Sequence, residues 1–476
     1  MRITRRHLLG AGAAAAVSLA SAPFVISSLR HRPKRNVILI VADAMRGDRA
    51  GTQYQRLVDG SEGSLTPCLN ALSRHGVSFA QAVSPSSFTK VSVPSIFYNA
   101  SPLSIDYNGE KASGYSLAER MQGLSYHTAA VVSNYIVDTP ITRRGFREFV
   151  LQCARPGRDS WRYRNPFTYA EAVNGKVMQV AKGLRDKERF FLYIHYMDTH
   201  EPYSAPALEM SRLAEPYDSA IVTVRVRGHF LAGTEVKKGV SPQEGVRRLI
   251  SNYDASVLYL DNCLKKLLAE LESAGLLDDT LVVFTSDHGE EFGDGEDFGG
   301  NVKKRGDIGH ANNLSWPAMH SPLVVWHAKL PGGGRLVNQP VSTVDVTNKA
   351  IESFAHGGAA EASDALTEYD DSRNLAPVVS ALNWEGFGGW APFNGASVTF
   401  RNVKVNARFV GADPSAVEAF RFASPGKLSQ LTSDQLPASM LKQAQDILRG
   451  RGSKLLKASD LSTRAQENLR AAGYLQ

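Results

Sequence analysis

Short apolar runs that each end in polar residues constrain the fold of this chain more than any other feature. The run "RNVILIVADAMRGD" (35–48) holds an unbroken apolar stretch directly before Asp43. Runs of the same kind occur at 127–135, 189–200, 278–295 and 321–332. Near-continuous apolar runs of this length are typical of strands that are buried on both faces of a parallel sheet.

Helical patterns separate these runs. Residues 66–76 open with Thr-Pro and end at a glycine, and residues 344–355 have a helical apolar period. Residues 241–275 form a long amphipathic pattern that opens with a Ser-x-x-Glu capping box. Strands that alternate with helices predict an α/β fold with a large, mostly parallel sheet flanked by helices.

The C-terminal part has a different pattern. Residues 395–410 indicate a β-hairpin, with helices expected at 414–420 and 435–449. We therefore predict three segments: a leader over 1–33, a main α/β domain over 34–358, and a smaller α+β subdomain over 359–476.

The N-terminus has the layout of an export signal. It begins with basic residues, continues with an Ala-rich apolar run and ends in small residues, and its "TRRHLL" resembles a twin-arginine signal. Pro23 follows the candidate cleavage site "ASA" and would hinder cleavage. We expect an exported protein, periplasmic or extracellular, which an uncleaved leader would tether to the membrane.

The net charge of +7 lies in this leader. Seven basic residues and no acidic residue occur before residue 37, namely Arg2, Arg5, Arg6, Arg30, Arg32, Lys34 and Arg35; the rest carries 54 − 7 = 47 basic against 47 acidic residues. A neutral body gives no support for nucleic-acid binding. The widely spaced Cys68, Cys153 and Cys263 fit neither a zinc ribbon nor a disulfide framework, so we expect buried free thiols.

Three candidate metal ligands follow two of the apolar runs. Asp43 ends the first run, and Asp287 and His288 end the run at 278–295. Sites in open α/β sheets form beyond the carboxyl ends of the strands, where two carboxylates repel each other unless a cation joins them. This donor set suits Mn²⁺, Mg²⁺, Zn²⁺ or Ca²⁺. The alternative for Asp287 is a helix cap.

Two further histidines are predicted to reach the same edge. Asp198 and His200 follow the run at 189–200, and His310 follows a glycine in "GDIGHANNLSW". Such histidines protonate a leaving group, hold an anionic ester or bind a second metal ion. The alternative for each is a surface histidine in a loop. His195 lies within the strand, and we interpret it as structural.

Six segments in order resemble the sulfatase family of the alkaline phosphatase superfamily. They are "NVILIVADAMRGDRAG", "TPCLNALSRHGVSFAQAVSPSS", "FLYIHYMDTHEPY", "DDTLVVFTSDHGEEFGD", "STVDVTNKAIESFA" and "LRAAGYLQ". The resemblance implies that fold and a metal-dependent enzyme acting on sulfate or phosphate esters. It also implies that Asp43, Asp287 and His288 bind one divalent metal ion, that His200 and His310 contact the anion or the leaving group, and that Asn134 and Asp198 belong to the substrate pocket.

The nucleophile segment departs from the family pattern. The Cys/Ser-x-Pro-x-Arg motif from which formylglycine is made does not occur in the sequence. A gapless match of "SFTKVSVPSIFYNASP" (87–102) places Thr89 at the nucleophile and among the metal ligands, with Lys90 beside it to balance charge. Ser92 is the alternative nucleophile, or else a helix cap. Ala44 replaces the family's second Asp.

An unmodified threonine favours a phosphoester slightly over a sulfate ester, because a metal-bound hydroxyl can attack phosphorus directly. The substrate is expected to be a small, glycan-linked or lipid-linked ester. Three alternatives stay open: a sulfuric ester hydrolase, a transferase that moves a phospho-alcohol group onto an envelope glycan or lipid, and an inactive binding homologue.

Overall fold

The computed structural model describes most of the chain after the leader. The described residues are 34–51, 54–104, 112–153, 169–203, 205–206, 212–213, 224–226, 229–231, 242–295, 308–311, 313–371, 377–384, 393–400, 403–410, 413–424 and 427–431. The predicted leader lies outside them. Within this part of the chain, no helix combines the length and the apolar character that a membrane crossing requires.

Strands make up the central layer and the C-terminal part. In chain order they are β1 (Asn36–Ala42), β2 (Gln55–Val58), β3 (Ser61–Ser64), β4 (Val77–Val83), β5 (His127–Val132), β6 (Glu148–Leu151), β7 (Phe190–Tyr196), β8 (Val224–Val226), β9 (His229–Leu231), β10 (Thr280–Ser286), β11 (His320–Ser321), β12 (Leu323–Trp326), β13 (Arg335–Ser342), β14 (Val378–Trp384), β15 (Phe393–Phe400), β16 (Val403–Val410), β17 (Asp413–Ser424) and β18 (Lys427–Leu431).

Helices lie between these strands. They are α1 (Pro67–His75), α2 (Thr89–Tyr98), α3 (Leu117–Gly123), α4 (Pro140–Arg143), α5 (Ala170–Leu184), α6 (Pro242–Ser273), α7 (Trp316–Met319), α8 (Thr343–Gly357) and α9 (Ala359–Thr367), with 3-10 turns at Gly47–Arg49, Pro102–Ser104 and Glu368–Asp370. The predicted helices at 66–76, 241–275 and 344–355 are confirmed as α1, α6 and α8.

The main sheet has the strand order β11-β4-β12-β10-β1-β7-β5-β6, and β13 pairs with β4. Its centre is parallel, since β1 pairs in parallel with β10 and β7, and β5 pairs in parallel with β7 and β6. The predicted strand at 321–332 is β12, which runs antiparallel to β10. The mostly parallel sheet is therefore confirmed, with an antiparallel strand between β10 and β4.

Helices cover both faces of this sheet. Every residue of β1 is buried: Ile38, Ile40 and Ala42 face one core, and Val37, Leu39 and Val41 face the other. The first core is closed by apolar side chains of α1, α5 and α6, and the second by those of α2, α3, α8 and α9. Burial on both faces explains why the strand sequences are apolar throughout.

The C-terminal part contains an antiparallel sheet in the order β14-β15-β16-β17-β18. The predicted hairpin at 395–410 is confirmed as β15 and β16. The predicted helix at 414–420 is wrong, because this segment is part of β17, which pairs with β16 on one side and β18 on the other. Pairing on both edges outweighs the local helix preference of these residues. The predicted helix at 435–449 lies outside the described residues.

The boundary at 358/359 stays a prediction. Helix α9 begins at this point, yet its Ala362 and Leu366 pack into the core of the main sheet together with Phe354 of α8. The antiparallel sheet itself starts at Val378.

One face of the C-terminal sheet is polar and buried. Thr399, Lys404 and Asn406 lie on this face, and all are at most 1% exposed. The Lys404 ammonium donates to the carbonyl of Leu314 at 2.5 Å, the Ser380 hydroxyl donates to the carbonyl of Ser84 at 2.7 Å, and the Ala381 N–H donates to the carbonyl of Pro85 at 2.9 Å. The sheet is thereby bonded to two loops at the edge of the main sheet, after β4 and before α7.

Candidate active site

The carboxyl ends of β1 and β10 bring Asp43 and Asp287 together. Ala42 and Ser286 are register partners in the parallel ladder, and each aspartate directly follows its strand. Both side chains are fully buried. An oxygen of each carboxylate and a ring nitrogen of His195 lie within 4.8 Å of one another. The structure therefore brings two of the predicted metal ligands together and places His195 beside them.

The Asp287 carboxylate is half satisfied by the backbone. Its Oδ1 accepts hydrogen bonds from the N–H of His288 at 3.0 Å and from the N–H of Ala44 at 3.2 Å. Ala44 points its N–H inward from a left-handed conformation with φ +56°. Oδ2 of Asp287 is buried and accepts no hydrogen bond. A buried carboxylate oxygen without a donor, next to a second carboxylate and imidazole nitrogens, fits a divalent cation.

His288 presents its second ring nitrogen to the same cluster. Its Nδ1 lies 2.8 Å from the carbonyl oxygen of Gly289, which can only accept, so Nδ1 carries the hydrogen. The lone pair of Nε2 is then directed into the site, where Nε2 lies 3.5 Å from Asp287 Oδ2 and 3.7 Å from Asp43 Oδ1. A side chain at Gly289 would meet the carbonyl of Pro317 at 2.0 Å, so only glycine fits at this turn.

Thr89 is the hydroxyl residue at the cluster. It is the first residue of α2, and its Oγ1 lies 3.3 Å from Asp43 Oδ2 and 3.2 Å from His288 Nε2. Lys90 follows it, nearly buried, and both residues line a narrow recess between α2 and the segment 136–142.

Ser92 does not face the cluster. Its hydroxyl donates to the carbonyl of Ser86 at 2.8 Å. The predicted helix-cap role for Ser92 is also wrong, because α2 already begins at Thr89 and Phe88 occupies the N-cap position. The helix starts four residues earlier than a cap at Ser92 would require.

The two predicted substrate-pocket residues lie in different places in the structure. Asn134 reaches the cluster, where its Nδ2 donates to Asp43 Oδ2 at 2.7 Å. The structure does not bring Asp198 there. Its Oδ1 accepts from the N–H of Ala170 at 3.0 Å, so it caps α5, and burial raises its pKa to about 7. The chain turns after β7 so that Asp198 faces this helix.

His200 and His310 lie beside the cluster with their rings edge to face. The His310 ring centroid lies 4.7 Å from that of His200 and 4.5 Å from that of His288. His200 donates from Nδ1 to the carbonyl of Glu201 at 2.8 Å. Burial lowers the pKa of His200 to about 4, even though Asp43 opposes this shift.

Glu290 is a site residue that sequence reasoning missed. Its carboxylate lies 2.9 Å from Nδ1 of His310 and accepts the Tyr203 hydroxyl at 2.6 Å. Burial raises the pKa of Glu290 to about 7. Its place two residues after His288 was the available signal, because the chain leaves the sheet there.

His195 corrects another sequence interpretation. We expected a structural residue, yet its Nε2 lies 3.0 Å from Asp43 Oδ2 and its Nδ1 lies 2.6 Å from the Tyr193 hydroxyl. In the parallel register, His195 pairs with Val41, two residues before Asp43. Only knowledge of the strand order could have placed it at the site.

The two carboxylates differ in electrostatics. Burial acts to raise the pKa of Asp43, but the neighbouring imidazole rings of His200, His195 and His288 outweigh it and hold this pKa well below its usual range. Burial and the charge of Asp43 raise the pKa of Asp287. Asp43 is thus kept ionised, and its negative charge makes ionisation of Asp287 less favourable. A bound cation removes this conflict because it attracts both carboxylates.

The family model described as Sulfatase matches residues 35–354. The chain belongs to the sulfatase family. This match confirms the resemblance inferred from the sequence motifs, and it covers the main sheet and all the residues of the site.

Curated relatives of this sulfatase-family chain match it in part. It is 28% identical over 160 residues to the multifunctional alkaline phosphatase superfamily protein PehA of Trinickia caryophylli, covering 29% of this chain and 31% of the relative. It is 25% identical over 375 residues to human N-sulphoglucosamine sulphohydrolase, covering 70% of this chain and 62% of the relative. The chain thus spans less than two thirds of either relative.

Solved structures share the fold. The phosphonate monoester hydrolase of Silicibacter pomeroyi has a TM-score of 0.61 at 19% identity, covering 87% of this chain and 95% of the other. A protein solved with its substrate D-glucosamine-2-N,6-O-disulfate has a TM-score of 0.63 at 14% identity, covering 88% and 97%. At these identities the likeness concerns architecture, and it confirms the predicted sulfatase-like α/β fold.

Proposed function

We propose that this chain is a metal-dependent hydrolase that cleaves a phosphate or sulfate ester, with Thr89 as nucleophile and phosphoesters favoured. The observation that supports this most is the position of the Thr89 hydroxyl, 3.2–3.3 Å from His288 Nε2 and Asp43 Oδ2. Family membership supports ester hydrolysis, and a relative and a solved structure are named for phosphatase-superfamily and phosphonate chemistry.

Asp43, Asp287, His288 and Thr89 would hold one divalent cation. Such a cation lowers the pKa of a coordinated hydroxyl and stabilises negative charge that develops on the transferred group. The buried Oδ2 of Asp287 and the lone pair of His288 Nε2 are the donors that the structure leaves for it.

The proposed reaction consists of two successive displacements at phosphorus. The Thr89 oxygen forms a bond to phosphorus while the bond from phosphorus to the alcohol oxygen breaks. The Thr89 hydroxyl loses its proton to solvent before the attack, and the departing alkoxide takes a proton from His310. Water then attacks phosphorus, releases phosphate and restores the hydroxyl. The phosphoryl group on Thr89 would lie at the N-terminus of α2, which favours an anion.

Phosphate is favoured over sulfate because of the nucleophile. A formylglycine hydrate carries two hydroxyls on one carbon, and the second expels sulfate without attack at sulfur. Threonine carries one hydroxyl, so its ester must be hydrolysed at the central atom.

Turnover of three aryl esters tests the proposal. The purified protein, reloaded separately with Mn²⁺, Zn²⁺, Mg²⁺ or Ca²⁺, is assayed on an aryl phosphate, an aryl phosphodiester and an aryl sulfate. We expect phosphoester turnover that Thr89→Ala removes. Turnover of aryl sulfate alone would instead identify a sulfate esterase, in keeping with relatives named for sulfated substrates. Inactivity on all three would contradict the proposal.

We also propose that the leader exports the protein. The arginine pair Arg5-Arg6 in "TRRHLL" supports the twin-arginine route. Replacement of both by lysine should retain the protein in the cytoplasm, as measured by cell fractionation, and unchanged export would contradict this route.

A further inference from the structure

We infer that Tyr193 and His195 are positioning residues that hold Asp43 in one orientation toward the metal ion, and that His195 acts as a hydrogen-bond donor to Asp43 and is not a metal ligand. This inference deepens the proposed function and rests on its metal site. It assigns a role to the imidazole that sequence reasoning treated as structural.

The hydrogen-bond directions follow from a short buried chain. The Tyr193 hydroxyl lies 2.6 Å from His195 Nδ1, and both side chains are fully buried in β7. Among the described residues, His195 is the hydrogen-bond partner of this hydroxyl. A tyrosine is protonated near pH 7, so it donates to Nδ1 and leaves the hydrogen of the neutral ring on Nε2. Nε2–H then donates to Asp43 Oδ2 at 3.0 Å.

A second donor acts on the same carboxylate oxygen. Asn134 Nδ2 donates to Asp43 Oδ2 at 2.7 Å, and the Asn134 carbonyl is itself fixed by the N–H of Ile136 at 2.8 Å. Two donors on Oδ2 fix the plane of the carboxylate. Oδ1 is then the oxygen that faces His288 Nε2, at 3.7 Å.

The backbone of Asp43 is also held. Its N–H donates to the carbonyl of Tyr196 at 2.9 Å, and its carbonyl accepts the Thr199 hydroxyl at 2.6 Å. The side-chain torsions are therefore the freedom that His195 and Asn134 remove. The orientation of the Asp43 side chain matters because the next residue, Ala44, has no carboxylate that could bind the metal ion in its place.

The alternative, in which His195 is a ligand, needs the opposite tautomer. Nε2 would then have to be unprotonated, and it could donate no hydrogen bond to Asp43 Oδ2. The Tyr193 hydroxyl would accept from Nδ1 and would need another acceptor for its own hydrogen. The observed contacts fit the donor role without either cost.

Metal affinity of Tyr193→Phe provides the first test. Calorimetric titration of the metal-free protein with Mn²⁺ should give a dissociation constant about 10- to 100-fold larger than that of wild type. Substitution of other residues that orient metal ligands has an effect of this size. Tyr196→Phe is the matched control, since Tyr196 lies on the same strand and its buried hydroxyl donates to Asn174 Oδ1 at 2.5 Å. Equal affinities of the two variants would overturn the inference.

Substitutions of His195 separate donor from ligand. With Co²⁺ bound, His195→Gln retains a donor for Asp43 and should keep the visible absorption spectrum, with affinity closer to wild type than that of His195→Leu. A changed spectrum in both variants would show a lost nitrogen ligand and would overturn the inference. If Tyr193→Phe fails to fold, as judged by circular dichroism, this comparison still decides. These readouts need no ester turnover, so they remain informative if the proposed activity fails.

Discussion

The hydroxyl oxygen of Thr89 lies 3.2 Å from Nε2 of His288, the ring nitrogen that bears the lone pair. The two residues come from opposite ends of the main domain in sequence, 199 positions apart. They meet because α2 begins where β4 ends and β10 delivers His288 to the same edge.

Thr89→Ala should reduce phosphoester turnover by about 10³-fold or more, because the Ser92 hydroxyl is directed to the carbonyl of Ser86 and cannot replace it. Thr89→Ser should retain part of the activity. Ser92→Ala removes a buried hydrogen bond to the Ser86 carbonyl, so it should lower the free energy of unfolding by about 1 kcal/mol and leave turnover intact. Steady-state kinetics and denaturant unfolding measure both, and a turnover loss confined to Ser92→Ala would reverse the assignment.

Asp287→Asn should remove most of the dependence of the free energy of unfolding on metal binding. Wild-type protein should gain about 2.7 kcal/mol when the free metal concentration is 100 times the dissociation constant, since the ion binds the folded state. The variant should gain far less, yet its metal-free form should be more stable than metal-free wild type, because it lacks a buried charge beside Asp43. Asp59→Asn, at an exposed ion pair with Arg212, serves as control and should respond to metal like wild type. An equal metal response in Asp287→Asn would exclude Asp287 as a ligand.

His310→Ala should impair esters of poor leaving groups most. A general acid contributes about 10²- to 10⁴-fold, so an alkyl phosphate should lose activity in this range and a nitrophenyl phosphate much less. Glu290→Gln should produce a smaller loss in the same direction, because it weakens the bond that orients His310 Nδ1. Equal losses for both leaving groups would show that His310 does not protonate the alcohol.

Asp261→Asn should flatten the pH dependence of stability. Asp261 of α6 accepts from the N–H groups of Cys68 and Leu69 at the start of α1, and burial raises its pKa to about 7 from 3.8. The folded state therefore binds a proton that the unfolded state releases above pH 4. This contribution stabilises the fold at low pH and is lost as the pH rises toward 7. Melting temperatures between pH 4 and 8 should show a smaller decline in the variant, and parallel curves would contradict the assignment.

Much of the metal cluster could be predicted from sequence because strand ends are visible there. An apolar run that stops at Asp43 or at Asp287-His288 identifies both the strand and the residues at its carboxyl end. Thr89 needed the resemblance to the family, since Ser92 and Ser95 follow it in the same segment and only the start of α2 separates them.

The residues that sequence reasoning misplaced depend on strand order or on a turn. His195 enters the site because β7 pairs with β1, which periodicity within β7 does not reveal. Asp198 leaves it because the turn after β7 directs this side chain to α5. Residues 414–420 form a strand for a similar reason. Their pairing partners, β16 and β18, lie outside the short sequence pattern that predicted a helix.

The hydrogen bonds from the C-terminal sheet to Ser84, Pro85 and Leu314 have a consequence for protein engineering. They end on the loops that lead into Thr89 and out of His310, so the proposed nucleophile and the proposed general acid are held partly by residues beyond 377. A shortened variant that stops after α9 would keep every predicted ligand and still lose the anchors of both loops. Chimeras between members of this family should therefore exchange the C-terminal sheet together with residues 84–88 and 310–315, so that the hydrogen bonds between them are retained.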